Sequence, residues 1–390
     1  MGERRTFVLT DTAHDVWIED FTLEGASLGP AALGGFSATK RRLRGGRRDG
    51  VDLIRVDNGT FSFQVVPTRG MGLWRASCQG DRVGWDSPTR DGPIHPAYVQ
   101  PHDLGGIGWL EGFDELMVRC GLMNNGAPFR AGDAIHPLHG RIASIPAWYV
   151  ALHVDLEPPY TITLEGRVTE SFLFGGGVEL VARYTTTPGS HAVTVRDEFF
   201  NVKDVPVEME ILYHWNFGPP HLDEGARFVA PMKEVVPRDA RAVEGLATWD
   251  VYGPPEPGYA EQVYFGSLHA EDGRTVAMLR DRAGEKAVAM RYDVAGQPCF
   301  SLWKNTGGLR DGYVTGLEPG VNFPNPRPFE KAQGRVVTIP VDGLHVTETT
   351  LEVLSGREAV AAVEAEVARL QAKGAAVVSP RPVGPFAVEG

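Results

Sequence analysis

Hydrophobic and polar residues alternate with a period of two along much of this chain, as in β-strands with one buried face. Residues 178–186 have this alternation, and residues 192–200 repeat it. Between them lies Thr-Pro-Gly-Ser at 187–190, where Pro and Gly favour a tight turn. The two segments are therefore predicted to form an antiparallel hairpin.

Further strands are predicted where β-branched and aromatic residues cluster between turn residues. These segments are residues 60–67, 160–168, 207–213, 275–279, 287–292, 299–303, 335–340 and 346–354. Strands do not alternate regularly with helices, which argues against a parallel doubly wound sheet. The sequence predicts an all-β fold, a large antiparallel sandwich that uses most of the chain.

The C-terminal part of the chain changes to a helical period. Its regularly spaced hydrophobic residues are Val360, Val363, Val367 and Leu370. Ser355 followed by Glu358 has the form of a capping box, and Gly374 is a helix stop. One amphipathic helix is therefore predicted over residues 355–374. Residues 110–120 are a weaker helical candidate, which the sequence leaves open.

The composition is that of an ordinary globular protein, with 42% hydrophobic and 23% charged residues. Lys and Arg number 38 against 50 Asp and Glu, and the resulting charge of −12 repels nucleic acid and anionic lipid. We interpret the basic stretch at residues 40–48 as a solvated loop or an oligomer contact. The sequence leaves open whether the chain forms a homo-oligomer.

The sequence carries no recognisable targeting signal or disulfide framework. Its first 15 residues have no apolar leader, and no window approaches the roughly 18 apolar residues of a membrane span. Cys78, Cys120 and Cys299 have no paired spacing that would suit zinc or a redox motif. We expect a cytoplasmic protein with neither a membrane nor a nucleic acid as its partner.

Polar residues cluster in three segments, of which the first is His-Pro-Leu-His-Gly-Arg at 136–141. The Gly after His139 allows another backbone to approach closely, and a neutral imidazole can donate and accept hydrogen bonds to a hydroxylated ligand. Either histidine could instead bond only to loop backbone. His136 and His139 could also join His214 or Glu318 around a metal, but we place no third well-spaced donor and predict no metal and no organic cofactor.

The second segment, residues 213–220, carries His214 among aromatic residues at the end of a predicted strand. Trp215 and its aromatic neighbours can stack on a sugar ring, and Asn216 offers both a donor and an acceptor. This mixture is typical of sugar sites. The alternative is a buried aromatic cluster with a satisfied histidine.

The third segment, residues 316–328, places Glu318 between Leu and Pro, where partial burial would raise the pKa of its carboxyl towards that of a useful base. The alternative is an exposed glutamate in a turn. A fourth group contains Arg69, Asp114 and Arg119. A guanidinium in a Gly-rich turn can bind hydroxyls or carboxylates, but these residues could equally form structural ion pairs.

The first three segments contain, in order, Leu-His-Gly at 138–140, Tyr-His-Trp-Asn-Phe at 213–217 and Gly-Leu-Glu-Pro at 316–319. His139 and His214 are 75 residues apart, and His214 and Glu318 are 104 apart. In order and spacing these motifs resemble the landmark motifs of the aldose 1-epimerase (galactose mutarotase) superfamily. The resemblance covers roughly residues 52–354.

The resemblance implies a twisted β-supersandwich with an open sugar cleft across one sheet. By it, His214 would correspond to the general acid that protonates the ring oxygen, and Glu318 to the general base that removes the proton of the anomeric hydroxyl. His139 would bind and polarise the sugar. A small-molecule sugar or glycoside is the implied partner.

The sequence also departs from the pattern of that superfamily. The usual Gly-Arg-x-x-Asn-Arg stretch before the first histidine is missing, so Arg119 is the candidate replacement, and Leu212-Tyr213 replaces Thr-Asn before His214. These departures, with Pro-Thr-Arg-Gly-Met at 67–71, place the chain in a divergent, uncharacterised branch. The predicted substrate-binding residues are His139, Arg69, Asp114, Arg119, Trp215, Asn216, Asn322, Asn325 and Arg327. Among them, the polar groups of Asn322, Asn325 and Arg327 would suit a substituted or acidic sugar, because a guanidinium binds carboxylate or phosphate.

We predict one structural domain with four parts. Residues 1–50 are an N-terminal extension with the first strands, 51–354 the sugar-cleft domain, 355–374 the helix and 375–390 a loose Pro-rich tail. For function we predict a sugar isomerase that interconverts anomers or epimers. The alternatives are a lyase that eliminates the aglycone of a 3-keto glycoside and a carbohydrate-binding protein without catalysis.

Overall fold

The computed structural model describes residues 3–388, and strands dominate it. Numbered β1 to β26 in chain order, the strands are Arg4–Asp11, Val16–Trp17, Phe21–Glu24, Ser37–Arg42, Asp52–Asp57, Phe61–Val66, Gly72–Cys78, Asp81–Val83, Met117–Leu122, Phe129–Ala131, Ala134–His136, Tyr149–Asp155, Ile162–Phe172, Gly175–Thr186, Ala192–Asn201, Val207–Phe217, Arg227–Val229, Glu234–Pro237, Gln262–Gly266, Arg274–Arg280, Lys286–Asp293, Cys299–Thr306, Tyr313–Gly320, Val337–Ile339, Leu344–Ser355 and Val377–Val378. The α-helices α1 to α3 are Ala240–Glu244, Arg327–Ala332 and Arg357–Gln371.

Most strands belong to two large sheets. A ten-stranded sheet has the order β17-β20-β21-β25-β15-β14-β13-β12-β1-β2. A fourteen-stranded sheet has the order β26-β18-β19-β22-β23-β16-β9-β7-β6-β5-β4-β3, with β24 beside β16 and β8 beside β7. Its neighbouring strands pair antiparallel, apart from the parallel pair β18 and β26. The prediction of a large antiparallel all-β sandwich is confirmed, and each predicted strand segment overlaps a strand.

The hydrophobic core lies between the two sheets, because every second residue of a strand points to the same face. Strand β16 in the larger sheet contributes Ile211, Tyr213, Trp215 and Phe217 to this core, and strands of the smaller sheet meet them with residues such as Leu180. The intervening residues of β16 point to the opposite face of the larger sheet. The functional site described below lies on that face.

Helix α3 packs on the outer face of the ten-stranded sheet. Its buried residues are Val360, Val363, Val367 and Leu370, as the helical spacing predicts. The predicted capping box does not form, because the residue before the helix is Gly356 and no side chain caps the first turn. None of the helices within residues 3–388 is both long and apolar enough to cross a membrane.

Two other regions differ from the prediction. The helical candidate at 110–120 is a short 3₁₀ helix, Gly108–Gly112, followed by β9. The C-terminal tail is not loose as far as residue 388. Val377–Val378 pairs with β18, Ala387 is buried, and the Phe386 ring packs 5.6 Å from that of Phe323.

Candidate active site

A cleft of about 570 Å³ lies over the outer face of the fourteen-stranded sheet. The sheet contributes His214 from β16, Trp303 from β22 and Glu318 from β23. Loops bring His139 and the 3₁₀ helix that carries Trp109. The resemblance predicted a cleft across one sheet, and its histidines and glutamate meet here.

His214 and Glu318 face each other across neighbouring antiparallel strands. Trp215 pairs with Leu317 in the register of β16 and β23, so His214 lies directly opposite Glu318. Its Nε2 atom is 3.1 Å from Glu318 Oε1, and both side chains are buried. A Cβ atom at Gly316 would clash with Glu318 Oε1, so this glycine leaves room for the pair.

A hydrogen bond to Asn216 fixes the orientation of the His214 ring. Asn216 Nδ2 donates to the backbone oxygens of Glu115 and His214, so its Oδ1 is turned towards the imidazole. Oδ1 is 2.7 Å from His214 Nδ1 and can only accept, so Nδ1 carries a proton. In neutral His214 the lone pair is therefore on Nε2, the atom beside Glu318.

The orientation of the His139 ring is also fixed by a hydrogen bond, in this case to the backbone. Its Nδ1–H donates to the Asn125 carbonyl at 2.9 Å, which leaves Nε2 as an acceptor. The two histidine rings are 5.6 Å apart and nearly perpendicular. A Cβ atom at Gly140 would clash with the backbone oxygens of Asn124 and Gly121, which confirms the close approach predicted for this glycine.

Burial shifts the pKa of all three groups towards the uncharged form. It raises the pKa of the Glu318 carboxyl well above its usual value, and the nearby Glu261 carboxylate acts in the same direction. Burial lowers the pKa of His214 well below its usual value, with a further decrease from His139, and lowers the pKa of His139 to about 4. Both shifts favour the uncharged forms of His214 and Glu318.

The contact within this pair is close but not aligned as a hydrogen bond. Glu318 Oε1 has no hydrogen-bond partner among the described residues, and the same holds for Trp109 Nε1 in the cleft wall. Buried polar groups without partners are rare and costly in native proteins. Both atoms are thus available to a ligand in the cleft.

Three aromatic side chains form the walls of the cleft. The Trp109 ring lies 4.6 Å from His139, and the Phe113 and Trp303 rings lie 5.0 and 5.2 Å from His214. These three residues were not among those predicted for the site. Aromatic residues are so common in ordinary cores that nothing in the local sequence separates them from core residues.

A charged pair at the cleft was likewise not predicted from the sequence. Arg238 Nη1 is 2.9 Å from Glu261 Oε1, and Arg238 Nε donates to Asp239. Glu261 Oε2 in turn accepts from Trp303 Nε1–H at 2.6 Å. Arg238 is thereby bound to two carboxylates, and Glu261 fixes one aromatic wall.

The structure corrects the predicted role of Arg119. Its side chain points between the sheets, where Nε and Nη2 bond both oxygens of Asp197 at 2.6 and 2.8 Å. Nη1 donates to Tyr184 Oη at 3.0 Å, and the Tyr213 hydroxyl also donates to Asp197. Side chains alternate between the two faces along β9. Val118 and Cys120 pack with the aromatic residues on the cleft side, so Arg119 between them points to the core face.

Trp215 likewise belongs to the core rather than to the cleft. It follows His214 on β16, so its side chain points to the opposite face and is fully buried in the inter-sheet core. The prediction that it contacts substrate does not fit this position. Asn216 is on the cleft face, where its side chain is occupied by His214 and by backbone.

Arg69 and Asp114 lie behind the cleft and not in its lining. Arg69 Nε bonds Glu115 Oε1 at 2.6 Å, and Nη2 donates to the Gly112 carbonyl. Asp114 accepts from Trp74 Nε1–H at 2.7 Å, and burial raises the pKa of its carboxyl to about 6. These contacts hold the loop that carries Trp109, and direct substrate contact by either residue is not compatible with them.

The residues predicted near 322–327 separate in the structure. Asn325 lines the cleft, although its Nδ2 donates to Glu330 and to the Phe386 backbone. Asn322 is buried and accepts from Asn125 Nδ2. Arg327 lines a different cavity and pairs with Glu208, so neither it nor Asn322 reaches the ligand position.

His136 does not join His139. Its ring stacks on Phe129 at 4.3 Å and lines the same cavity as Arg327. Within residues 3–388 no group of three or more His, Cys, Asp or Glu side chains is arranged to hold a metal ion.

Residues 48–353 match the family described as "Domain of unknown function (DUF4432)". A "putative aldose 1-epimerase" from Klebsiella pneumoniae is 32% identical, with 98% of this chain and 100% of that chain covered and a TM-score of 0.94. The chain belongs to the DUF4432 family. Within the galactose mutarotase-like superfamily, this family is the divergent, uncharacterised branch that the motifs indicated.

More distant members of the superfamily share the fold of this DUF4432 protein. A galactose mutarotase-like protein from Clostridium acetobutylicum is 12% identical, covers 82% of this chain and 98% of its own, and has a TM-score of 0.54. A galactose mutarotase related enzyme from Lactobacillus acidophilus is 9% identical, covers 78% and 98%, and has a TM-score of 0.51. No curated protein sequence matches the chain.

Proposed function

We propose that this protein is a sugar isomerase that interconverts the anomers of a sugar by proton transfer at the His214–Glu318 pair. The observation that carries the proposal is the 3.1 Å contact between His214 Nε2 and Glu318 Oε1 at the cleft floor. The ring oxygen and the anomeric hydroxyl of a hemiacetal are bonded to one carbon. An adjacent acid and base can therefore serve both oxygens at once.

The proposed reaction needs one transferable proton on the pair. Glu318 in its protonated form donates this proton to the ring oxygen, His214 Nε2 removes the proton of the anomeric hydroxyl, and the bond from C1 to the ring oxygen breaks. For ring opening these roles are the reverse of those that the resemblance implied for the two residues. The open aldehyde rotates about its C1–C2 bond and closes from its other face as the protons return. His214 and Glu318 exchange roles between opening and closure, so the pair ends as it began.

The remaining groups of the cleft would bind and orient the sugar. His139 Nε2 can accept a hydrogen bond from a sugar hydroxyl, because Nδ1 already donates to backbone. Trp109 offers a free indole N–H, and the Trp303 ring can stack on a sugar face. Such positioning lowers the barrier because it removes the entropy of bringing the groups together.

The test is exchange NMR between anomers of free aldoses with the purified protein. We expect exchange faster than the uncatalysed rate, and faster than with a His214→Ala, Glu318→Gln double variant. Product release from 3-keto glycosides without anomeric exchange would replace the proposal with a lyase. Ligand binding without turnover of either substrate would leave a carbohydrate-binding protein.

Asn216→Leu should lower kcat by up to about 100-fold, because the His214 ring loses the hydrogen bond that holds it in position for proton transfer. The bond to Asn216 raises the pKa of His214, so its loss should lower this pKa further. Protonation of His214 limits activity at low pH, and the acidic limb of the pH profile should therefore move to lower pH. Asn201→Leu removes another amide that bonds backbone, outside the cleft, and should leave the profile unchanged.

A further inference from the structure

The lining of the cleft contains very few polar groups for a sugar site. Eleven of its seventeen lining residues have hydrocarbon or aromatic side chains. Beyond the Arg238–Glu261 pair, the cleft offers a ligand His139 Nε2, the facing atoms of His214 and Glu318, Trp109 Nε1 and the Oδ1 atom of Asn325, whose Nδ2 is already bonded. An ordinary hexose has five hydroxyl groups, and hydroxyls buried without partners weaken binding.

The cleft also lacks a cation that is free to bind an anion. Arg238 is its only Lys or Arg among the described residues, and it is bound to Glu261 and Asp239. With two carboxylates to one guanidinium, the local charge is negative and would repel a phosphate or carboxylate. Arg327, the guanidinium predicted to suit an acidic sugar, lines a different cavity, and Arg69 and Arg119 are engaged outside the cleft.

Hydrophobic residues continue from the cleft to solvent. Ile107 and Leu110, from the segment around the 3₁₀ helix, are 39% and 45% exposed, and Val388 on the C-terminal tail is 47% exposed. Large exposed hydrophobic side chains that line one cavity indicate that part of the ligand is apolar, because removing these side chains from water is favourable. Here they surround the same opening that leads to His214 and Glu318.

We infer that the substrate is an uncharged sugar with an apolar substituent away from its anomeric carbon, the smallest being a methyl group in place of a hydroxymethyl group. This inference rests on the proposed function, since it assigns the substrate class of the same site. The anomeric hydroxyl stays free for the proton transfer, and the substituent contacts Ile107, Leu110 and Val388. Leu110 is then a specificity-determining residue.

The inference is tested with a matched panel of a 6-deoxyhexose, its parent hexose and the hexose 6-phosphate. In exchange NMR, kcat/KM should be at least about 10-fold higher for the deoxy sugar than for the hexose, the usual effect of one group in an apolar pocket. It should be at least about 10-fold lower for the phosphate than for the hexose. Equal rates for the deoxy sugar and the hexose, or faster exchange of the phosphate, would overturn the inference.

Leu110→Asn should reduce the preference for the deoxy sugar to below about 3-fold, because it places an amide in the apolar wall. Leu104→Asn is the matched control, since Leu104 is 70% exposed and does not line the cleft, and it should keep the preference. A preference unchanged in Leu110→Asn would contradict the role of this side chain.

Binding measured by calorimetry on Glu318→Gln separates this inference from the proposed function. If the variant binds the deoxy sugar more tightly than the hexose while the wild-type protein exchanges neither, the proposed reaction fails and the substrate class stands. If wild-type protein exchanges both sugars equally and the variant binds them equally, the reaction stands and the substrate class fails.

Discussion

Glu318→Gln is expected to lower kcat for anomeric exchange by about 10²- to 10⁴-fold, the usual contribution of one proton-transfer group. The amide has the size of the carboxyl but cannot give or take the proton. Glu318 Oε1 has no hydrogen-bond partner among the described residues, and burial favours the uncharged carboxyl, so the substitution breaks no internal hydrogen bond. The loss should therefore fall on kcat with little change in stability.

Glu170→Gln is the matched control for this experiment. Glu170 is also a buried glutamate whose carboxyl pKa is raised by burial, but it bonds the Leu122 backbone and does not line the cleft. Its kcat should stay within about threefold of the wild-type value. Retention of more than a tenth of the activity by Glu318→Gln would rule out Glu318 as the proton-transfer group.

Arg119→Met should lower the free energy of unfolding by about 3–5 kcal/mol, because it leaves the Asp197 carboxylate buried between the sheets without its counter-charge. The double variant Arg119→Met, Asp197→Leu should recover most of this loss, since hydrocarbon can replace a buried ion pair. Arg4→Met removes an exposed pair with Asp155 and should cost at most about 1 kcal/mol. Urea unfolding measures the free energy of unfolding of all three variants.

The same variants test whether Arg119 acts in the cleft. In the structure it contacts Asp197, Tyr184 and backbone between the sheets, so the folded double variant should keep its exchange activity. A double variant that is folded but inactive would restore Arg119 as a replacement for the arginine of the superfamily pattern. An Arg119→Met variant as stable as the wild type would contradict the buried-pair argument.

The sequence predicted those features that depend on local pattern or on a motif. Alternation of residue types located the strands, and the three motifs located His139, His214 and Glu318. It did not predict which face of β9 carries Arg119, since that depends on where the strand begins and on its neighbours. Read alone, Glu318 could also have been a turn residue, because the Gly and Pro around it obscure the β23 pattern.

Arg238 and Glu261 could not have been found in this way. They lie outside the motifs, and their chemistry depends on contacts with each other and with Trp303. The same holds for the tail, whose composition favours a loose segment. Backbone acceptors at Phe386 and Pro385 bind Asn325 and Arg335, and this tertiary contact overrides the local tendency.

The packed tail affects how the protein can be handled in the laboratory. Val388 lines the cleft, so any affinity tag joined after residue 390 would be attached only a few residues from the opening. A purification handle there could obstruct entry of the sugar and give a false impression of inactivity. Tags for the assays above are therefore better placed before residue 1, since β1 belongs to the ten-stranded sheet and does not line the cleft.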